Sequence, residues 1–521
     1  MFAARKNALA FWLGSLLVTI GVILHIPMFL MGKDMDYMLA GMPMDPGMYW
    51  GMAFIIIGIA AAAYGLVPRR SAAEVAHQHH KIVPPEDAPL TPAHWAAAAA
   101  LAIGLVIDVM KPASLGLVTP GMRVEYEVSK AVVAYLPFSA LVGTVVGSFV
   151  WGALADLYGR RAAILLSAVM YVGTSICGAM PSFWWNVAMC FLMGGAAGGM
   201  LPVTYALLAE IMPTRRRGLA LVLVGGIGAV GGYLAASGLS ALLQPIFGWR
   251  IMWFLNLPSG LILIAISVFI PESARFLMHI GQEKQAYDVL ARFGSVVVTE
   301  TKDWDEEAAV DHSHLPPVER RYLGTTLALT LAALSWGFVN FGLLLWIPSE
   351  LVAEGRSMGL ASAIIAQSSL IAIPTVALAA ILYSAWSTRY ALIAVLAVMG
   401  SGVLTVILRG LGVAALSNPI IAIALLIVGS TGAISILLPY AAENYPLRIR
   451  GRATGWVAGC SKLGGLICQA LSVLALVPAL WLASAAIALP LGLSMLLISL
   501  FGQETRGRDL RVLETEQRKA A

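Results

Sequence analysis

Residues 209–218 read AEIMPTRRRG and residues 442–451 read AENYPLRIRG, so Glu210, Pro213, Arg217 and Gly218 recur 233 positions later as Glu443, Pro446, Arg450 and Gly451. Two apolar stretches follow each copy, and then a second echo: PESARF with Glu272 and GQETRG with Glu504, 232 positions apart. A unit repeated at that length in so apolar a chain predicts a membrane protein of two parallel halves. Many secondary transporters share this ground plan, with the substrate held between the repeats.

Composition points the same way. Of 521 residues 59% are apolar and 12% charged, and mean hydropathy is +0.84. A soluble chain carries about 25% charged residues. Here the apolar residues come in blocks of about 20, enough to cross about 30 Å of hydrocarbon as helix. The short alternating segments of a β-barrel are missing. The net charge of +5 lies in short basic clusters between the blocks, which reads as membrane topology and not as a nucleic-acid footprint. Cys177, Cys190, Cys460 and Cys468 lie inside apolar blocks without CxxC spacing, so they read as small buried hydrophobes. No GK[ST] loop or nucleotide-binding domain is present to suggest an ATP-driven pump. No cofactor or metal centre is expected.

Counting blocks predicts fourteen helices, near 9–31, 48–66, 94–120, 129–151, 162–180, 183–206, 218–245, 250–270, 323–349, 358–383, 389–409, 417–440, 453–475 and 479–501. The expected organisation is an N-terminal transmembrane hairpin (1–66), a cytoplasmic linker (67–92) and a six-helix bundle (93–271). A cytoplasmic central loop (272–321), a second six-helix bundle (322–502) and a cytoplasmic tail (503–521) complete it. The first block is too long for a signal peptide and lacks a small-residue cleavage site, so it reads as a retained helix. Arg5, Lys6, Arg69, Arg70, Arg160, Arg161, Arg215, Arg216, Arg217, Arg389, Arg448, Arg450 and Arg452 fall on one side under an even count, and Asp34, Asp36 and Asp45 on the other. The positive-inside rule then places both termini in the cytoplasm of a plasma membrane, a bacterial inner membrane being the expected one.

The strongest local motif is GALADLYGRR at 152–161, with Gly152, Asp156, Gly159, Arg160 and Arg161 between the second and third helices of the first six. Gly159 permits a tight turn, and Asp156 can accept from N–H groups at a helix start or pair with an arginine across the bundle. With Glu210, Arg217, Glu443 and Arg450, this reads as a charge latch on the side away from the substrate. A turn that only enforces topology is the simpler reading.

GALADLYGRR resembles the loop signature of the major facilitator superfamily. AEIMPTRRRG with PESARFL, and the tail GQETRGRDL, are similar to its branch of sugar porters, organic-ion carriers and aromatic-acid:proton symporters. The resemblance covers about 94–510 and implies two six-helix bundles rocking about a central cavity by alternating access. Three departures stand out. The second half has only SAWSTRY (384–390) where a twin of Asp156 belongs. The fourth core helix lacks the arginine motif of many proton-coupled members. The two leading helices are extra to the usual twelve.

Charges within the predicted membrane point to what is coupled or bound. Asp108 and Lys111 lie three residues apart on one face of the first core helix, beside Pro112, which breaks the hydrogen-bond ladder. They read as a self-neutralising ion pair, or as a proton acceptor with an anion contact. Lys462 is a second intramembrane cation, facing the cavity from the other half or snorkelling to the cytoplasm. Trp336, Asn340, Tyr205 and Gln367 are further substrate-contact candidates, each with packing as the alternative, and Gly194, Gly195, Gly198 and Gly199 suit close helix packing. Met28, Met31, Met35, Met38 and Met42 step by three and four, a stripe that reads as packing or as thioether ligands for Cu(I). His77, His79, His80, His312 and His314 read as solvated loop residues, or as a pH or metal sensor.

The expected protein is thus an all-α membrane protein and no enzyme: a secondary active transporter, proton-coupled, for a small organic anion such as a carboxylate. Its expected partners are that solute, protons and the lipid bilayer. Drug efflux, copper transport and a non-transporting sensor on the same scaffold are the alternatives.

Overall fold

The computed structural model describes residues 5–68, 81–82, 89–294, 297–298, 322–413, 418–445 and 447–506; side chains at 5, 81–82, 214–215, 297–298 and 447–451 are not described. The loop histidines and the side chain of Arg450 therefore fall outside the described part. Within it, fourteen helices are long and apolar enough to cross a membrane. We label them α1 (Lys6–Met35), α2 (Pro46–Leu66), α3 (Pro92–Glu125), α4 (Lys130–Tyr158), α5 (Arg160–Ala179), α6 (Phe183–Ile211), α7 (Arg216–Phe247) and α8 (Ile251–Phe269). After the central loop come α9 (Leu323–Ala353), α10 (Met358–Trp386), α11 (Thr388–Gly410), α12 (Pro419–Asn444), α13 (Arg452–Val473) and α14 (Leu480–Phe501). Two short helices, Ala274–His279 and Glu283–Arg292, follow α8, and one two-residue ladder pairs Lys81–Ile82 with Val297–Val298.

Several helices outrun their apolar blocks. α3 continues through Pro112 and Pro120 to Glu125, and α9 continues to Ala353, because hydrogen-bonded turns persist past the hydrocarbon into polar residues that a hydropathy reading ends on. The halves meet where α7 packs on α10 and α12, α3 on α9, and α4 on α13.

Glycines set the closest contacts. A Cβ on Gly194 would lie 1.9 Å from the Ala140 carbonyl oxygen and one on Gly198 2.4 Å from that of Thr144, so α6 rests backbone to backbone on α4. The hairpin is built the same way, with Gly14 against Gly58 and Gly21 against Gly51. It leans on α5, whose core window is 83% buried, the highest share of the fourteen. Phe11, Val18, Met48 and Ile55 share one buried cluster with Ala168, Tyr171 and Val172.

The methionines do not form one stripe. The helix gives way to a 3-10 turn at Gly32–Met35 and left-handed residues at Asp36 and Tyr37, leaving Met28 and Met48 buried but Met31, Met35 and Met38 exposed. Packing accounts for the buried pair.

The loop after α1 is anchored to the first bundle. The Glu125 carboxylate accepts from Leu39 N–H at 2.6 Å, Ala40 N–H at 3.0 Å, Trp249 Nε1 at 2.8 Å and Arg250 Nη2 at 2.5 Å. The Arg250 side chain is fully buried and also donates to the Gly178 and Met180 carbonyls. Phe29 stacks on Tyr37 and meets Phe254 beside it.

Candidate functional site

Asp108 and Lys111 are buried on α3, but they do not pair within 4.0 Å. Tyr171 of α5 stands between them. Its hydroxyl donates to Asp108 Oδ1, and Lys111 Nζ sits 3.1 Å from its ring centroid. A buried ammonium on an aromatic face is partly compensated, yet Lys111 Nζ has no hydrogen-bond acceptor among the described residues. It borders a void of about 10 Å³ with Ser114 and Asn256, close to the size of one water. The self-neutralising ion pair is therefore replaced by a carboxylate–phenol–ammonium arrangement. Tyr171 was not singled out from sequence, where it reads as one more aromatic in an apolar helix.

Lys462 does not snorkel. From α13 its ammonium crosses to the other half and donates to Ser148 Oγ on α4, with the Gly198 carbonyl at 3.4 Å. That carbonyl is free to accept because α6 breaks between Ala197 and Met200, at the Gly198–Gly199 pair. Ser148 Oγ donates to the same oxygen at 2.9 Å. Lys462 is also within electrostatic reach of Asp108.

A neutral network lies beside it. Asn340 sits in a π-helical turn of α9, Val339–Leu343, a distortion that often marks functional positions. Its Oδ1 accepts from Tyr233 of α7 at 3.0 Å and from Ser430 of α12 at 3.2 Å, so it too joins the halves. Trp336 donates Nε1–H to the Ser430 carbonyl at 2.8 Å. Two candidates fall elsewhere. The Tyr205 hydroxyl is wedged against Gly225 and has no hydrogen-bond partner among the described residues. Gln367 is exposed on the outer stripe of α10 with Leu360, Ile371 and Leu378. A polar residue inside an apolar helix reads as inward-facing, but position along α10 puts it outside.

Between the halves, at the end away from the arginine motifs, lies a cavity of about 490 Å³. Thr119, Arg123, Trp346, Glu350 and Gln469 are among its lining residues. Gln469 is two helical turns beyond Lys462, about 10 Å along the axis, so the cavity ends short of the charged layer.

At the arginine-rich end, the residue that caps α5 is not Asp156. The φ of +100° at Gly159 turns the chain so that the Glu272 carboxylate accepts from the N–H groups of Arg160 (2.7 Å), Arg161 (3.2 Å) and Ser273 (2.9 Å). Asp156 remains 77% exposed, 3.9 Å from Arg160 on its own turn, and Arg160 reaches Glu210 at 3.2 Å. Gly152 is open, with no atom of the described residues within 4 Å of an added Cβ. The second half repeats the cap with hydroxyls. Glu504 accepts from Ser387 Oγ, Thr388 N (2.9 Å), Thr388 Oγ1 (2.8 Å) and Arg506 N (3.1 Å). Glu443 accepts from Tyr383 (2.7 Å) and Thr505 (2.6 Å). The loop SAWSTRY thus keeps the capping function that its missing aspartate seemed to remove. Gly218, next to Arg217 at the start of α7, faces the Tyr383 ring and Glu443 across the interface.

The two capping glutamates differ in charge balance. Burial pushes the Glu272 carboxyl up, ahead of the opposing N–H groups. Burial also acts on Glu504, but its hydroxyl and N–H donors together outweigh it and bring the carboxyl down to about 2 from 4.5. A depressed value means that the Glu504 carboxylate favours the fold above pH 4.5, a contribution lost as pH falls towards 2. The raised value of Glu272 has the opposite sign, its contribution fading as pH rises. Glu504→Gln is therefore expected to lower the thermal midpoint at pH 7 more than Glu272→Gln, and the gap should narrow at pH 4. Equal losses at both pH values in an unfolding series would refute this.

Residues 96–468 match the sequence model of the Major Facilitator Superfamily, and the chain belongs to that family of transporters. The chain is 24% identical to the niacin transporter NiaP of Acinetobacter baylyi over 73% of this chain and 87% of that one. It is 28% identical to the 4-hydroxybenzoate transporter PcaK of the same organism over 50% of this chain and 55% of that one. The structure of the proton:xylose symporter XylE bound to 6-bromo-6-deoxy-D-glucose superposes with a TM-score of 0.65 at 17% identity, covering 81% of this chain and 98% of that one. That likeness concerns the fold. α1 and α2 lie outside the matched family region.

Proposed function

We propose that this protein is a proton-coupled transporter of a small aromatic or short-chain carboxylate, working by alternating access with both termini in the cytoplasm. The observation that carries the reading is the charged layer itself: Asp108 on the Tyr171 hydroxyl, Lys111 on the Tyr171 ring, and Lys462 reaching across from the opposite half. Charges this deep are retained at a functional expense. Niacin and 4-hydroxybenzoate, named for two relatives, are each an aromatic ring with one carboxylate.

In this mechanism the solute enters the cavity at the end away from the arginine motifs, taken as the outer end in keeping with the positive-inside rule. Asp108 takes a proton, and Tyr171 turns from donor to acceptor. Loss of the negative charge frees the two ammonium groups for the solute carboxylate. A carboxylate on Lys462 replaces its contacts with Ser148 and Gly198, and so loosens a tie between the halves. Opening to the inside then parts Gly218 from Tyr383 and Glu443. Trp336, Asn340 and Tyr233 offer ring and hydrogen-bonding contacts next to this path.

The test is uptake by purified protein in liposomes, with aromatic carboxylates, sugars, drugs and Cu(I) as the panel. Lys462→Met is expected to weaken carboxylate transport about tenfold in KM, the worth of one charge-assisted contact. Unchanged carboxylate uptake in both Lys111→Met and Lys462→Met would sink the anion assignment. Preferred transport of neutral drugs would replace it with efflux.

A further inference from the structure

A second cavity, of about 170 Å³, lies at the arginine-rich end and takes no part in the mechanism above. Three separate pieces of chain enclose it: the end of α2 at Leu66–Pro68, the α4–α5 turn with Tyr158 and Arg161, and the central-loop helices with Gln285 and Arg292. Its walls combine two guanidinium groups with one acid, Glu272. That acid spends its oxygens on three backbone N–H groups and does not come within 4.0 Å of Arg161. Nε and Nη2 of Arg161 are buried and have no acceptor among the described residues, while Arg292 is close enough to act on Arg161 electrostatically. Glu272 is near enough to balance part of the Arg161 charge, but its oxygens are taken by N–H groups, so the buried Nε and Nη2 donors of Arg161 still lack an acceptor that a bound anion would supply.

We propose that this cavity binds a phosphate-bearing anion between Arg161 and Arg292, tying the hairpin and the central-loop helices to the start of α5. Charge selects the ligand class. A phosphomonoester carries about −1.5 to −2 at neutral pH and matches two arginines, whereas a monocarboxylate matches one. The guanidinium fork presents paired N–H groups to such oxygens. The cavity admits a phosphate group with room to spare, and the rest of the ligand extends outwards, either into the cytoplasm or along α2 into lipid. The hairpin end that helps to wall the site, Leu66–Pro68, lies outside the family-matched region, while Arg161 and Arg292 lie inside it.

The experiment follows thermal unfolding of the full-length protein. One arm adds inorganic phosphate in detergent against chloride of equal ionic strength. The other compares phosphatidylcholine nanodiscs with and without phosphatidic acid. Stabilisation by phosphate identifies a free anion, and stabilisation by phosphatidic acid alone identifies a lipid headgroup; either supports the site. In both cases Arg161→Gln is expected to raise the half-maximal concentration about tenfold or more. If Arg161→Gln fails to fold, Arg292→Gln, exposed on its loop helix, carries the same expectation. Absence of any stabilisation, or stabilisation undiminished by both substitutions, overturns the proposal. The readout is binding, so its failure leaves the transport reading untouched, and the reverse holds.

Discussion

Asp108→Asn is expected to abolish solute-driven proton uptake in liposomes, a loss of about a hundredfold or more, while solute binding to the purified protein survives. A positioned acid–base group contributes on the order of 10²–10⁴ to a proton-transfer step, and an amide cannot take that role. The substitution keeps the size of the side chain, and Asn still accepts from the Tyr171 hydroxyl, so the packing of α3 on α5 is preserved. What changes is the charge balance of the layer. With Asp108 neutral, Lys111 and Lys462 lose the only anion acting on them among the described residues, a permanent imitation of the protonated state. The variant is therefore expected to bind a carboxylate at least as tightly as the parent, with no dependence on a proton gradient. Tyr171→Phe separates positioning from coupling. It removes the hydroxyl but keeps the ring under Lys111, so it should shift the pH profile of transport and leave uptake measurable. Proton uptake that persists in Asp108→Asn would assign coupling elsewhere, and solute movement without protons in the parent would make the protein a uniporter.

How much of this was legible in the chain follows from which signals are local. The duplicated Glu-Pro-Arg-Gly and Glu272/Glu504 elements predict two equivalent halves, and the structure gives both later glutamates one task, capping the third helix of each half. The charge of Asp108, Lys111 and Lys462 also stands out in an apolar background. Their partners do not. Tyr171 looks like packing until α5 is laid against α3, and the Gly198 carbonyl becomes an acceptor only because α6 breaks there. Asp156 looked like the cap because it adjoins the turn in sequence, but Gly159 bends the chain towards Glu272, more than a hundred residues away. Gln367 misled because polarity gives no direction around a helix that is apolar on every side.

The clearest residue pair missed by hydropathy is Glu125–Arg250, and breaking it carries the largest expected effect on stability. Arg250→Met is expected to destabilise the first bundle by about 3–5 kcal/mol, the usual loss when one member of a buried ion pair is removed. The side chains are 0% and 3% exposed, so the carboxylate left behind has no route to water. Glu125 would keep its donors from Leu39, Ala40 and Trp249, which hold the hairpin loop in place, but with no cation to balance them. Glu125→Ala should lose as much and also free the hairpin loop, since the Leu39 and Ala40 N–H groups lose their acceptor. The double variant Glu125→Gln with Arg250→Met leaves no net buried charge and should recover part of the loss, because apolar replacement of a buried pair is often close to neutral. Cys177 and Cys190 report the outcome directly. Both are buried in the same cluster as Trp249, so a thiol-reactive dye labels them when this region opens. Arg250→Met should label at a lower temperature than the parent and the double variant in between. Equal midpoints for all three would mean that the pair contributes nothing to stability, and that the hairpin is held by its apolar contacts with α5 alone.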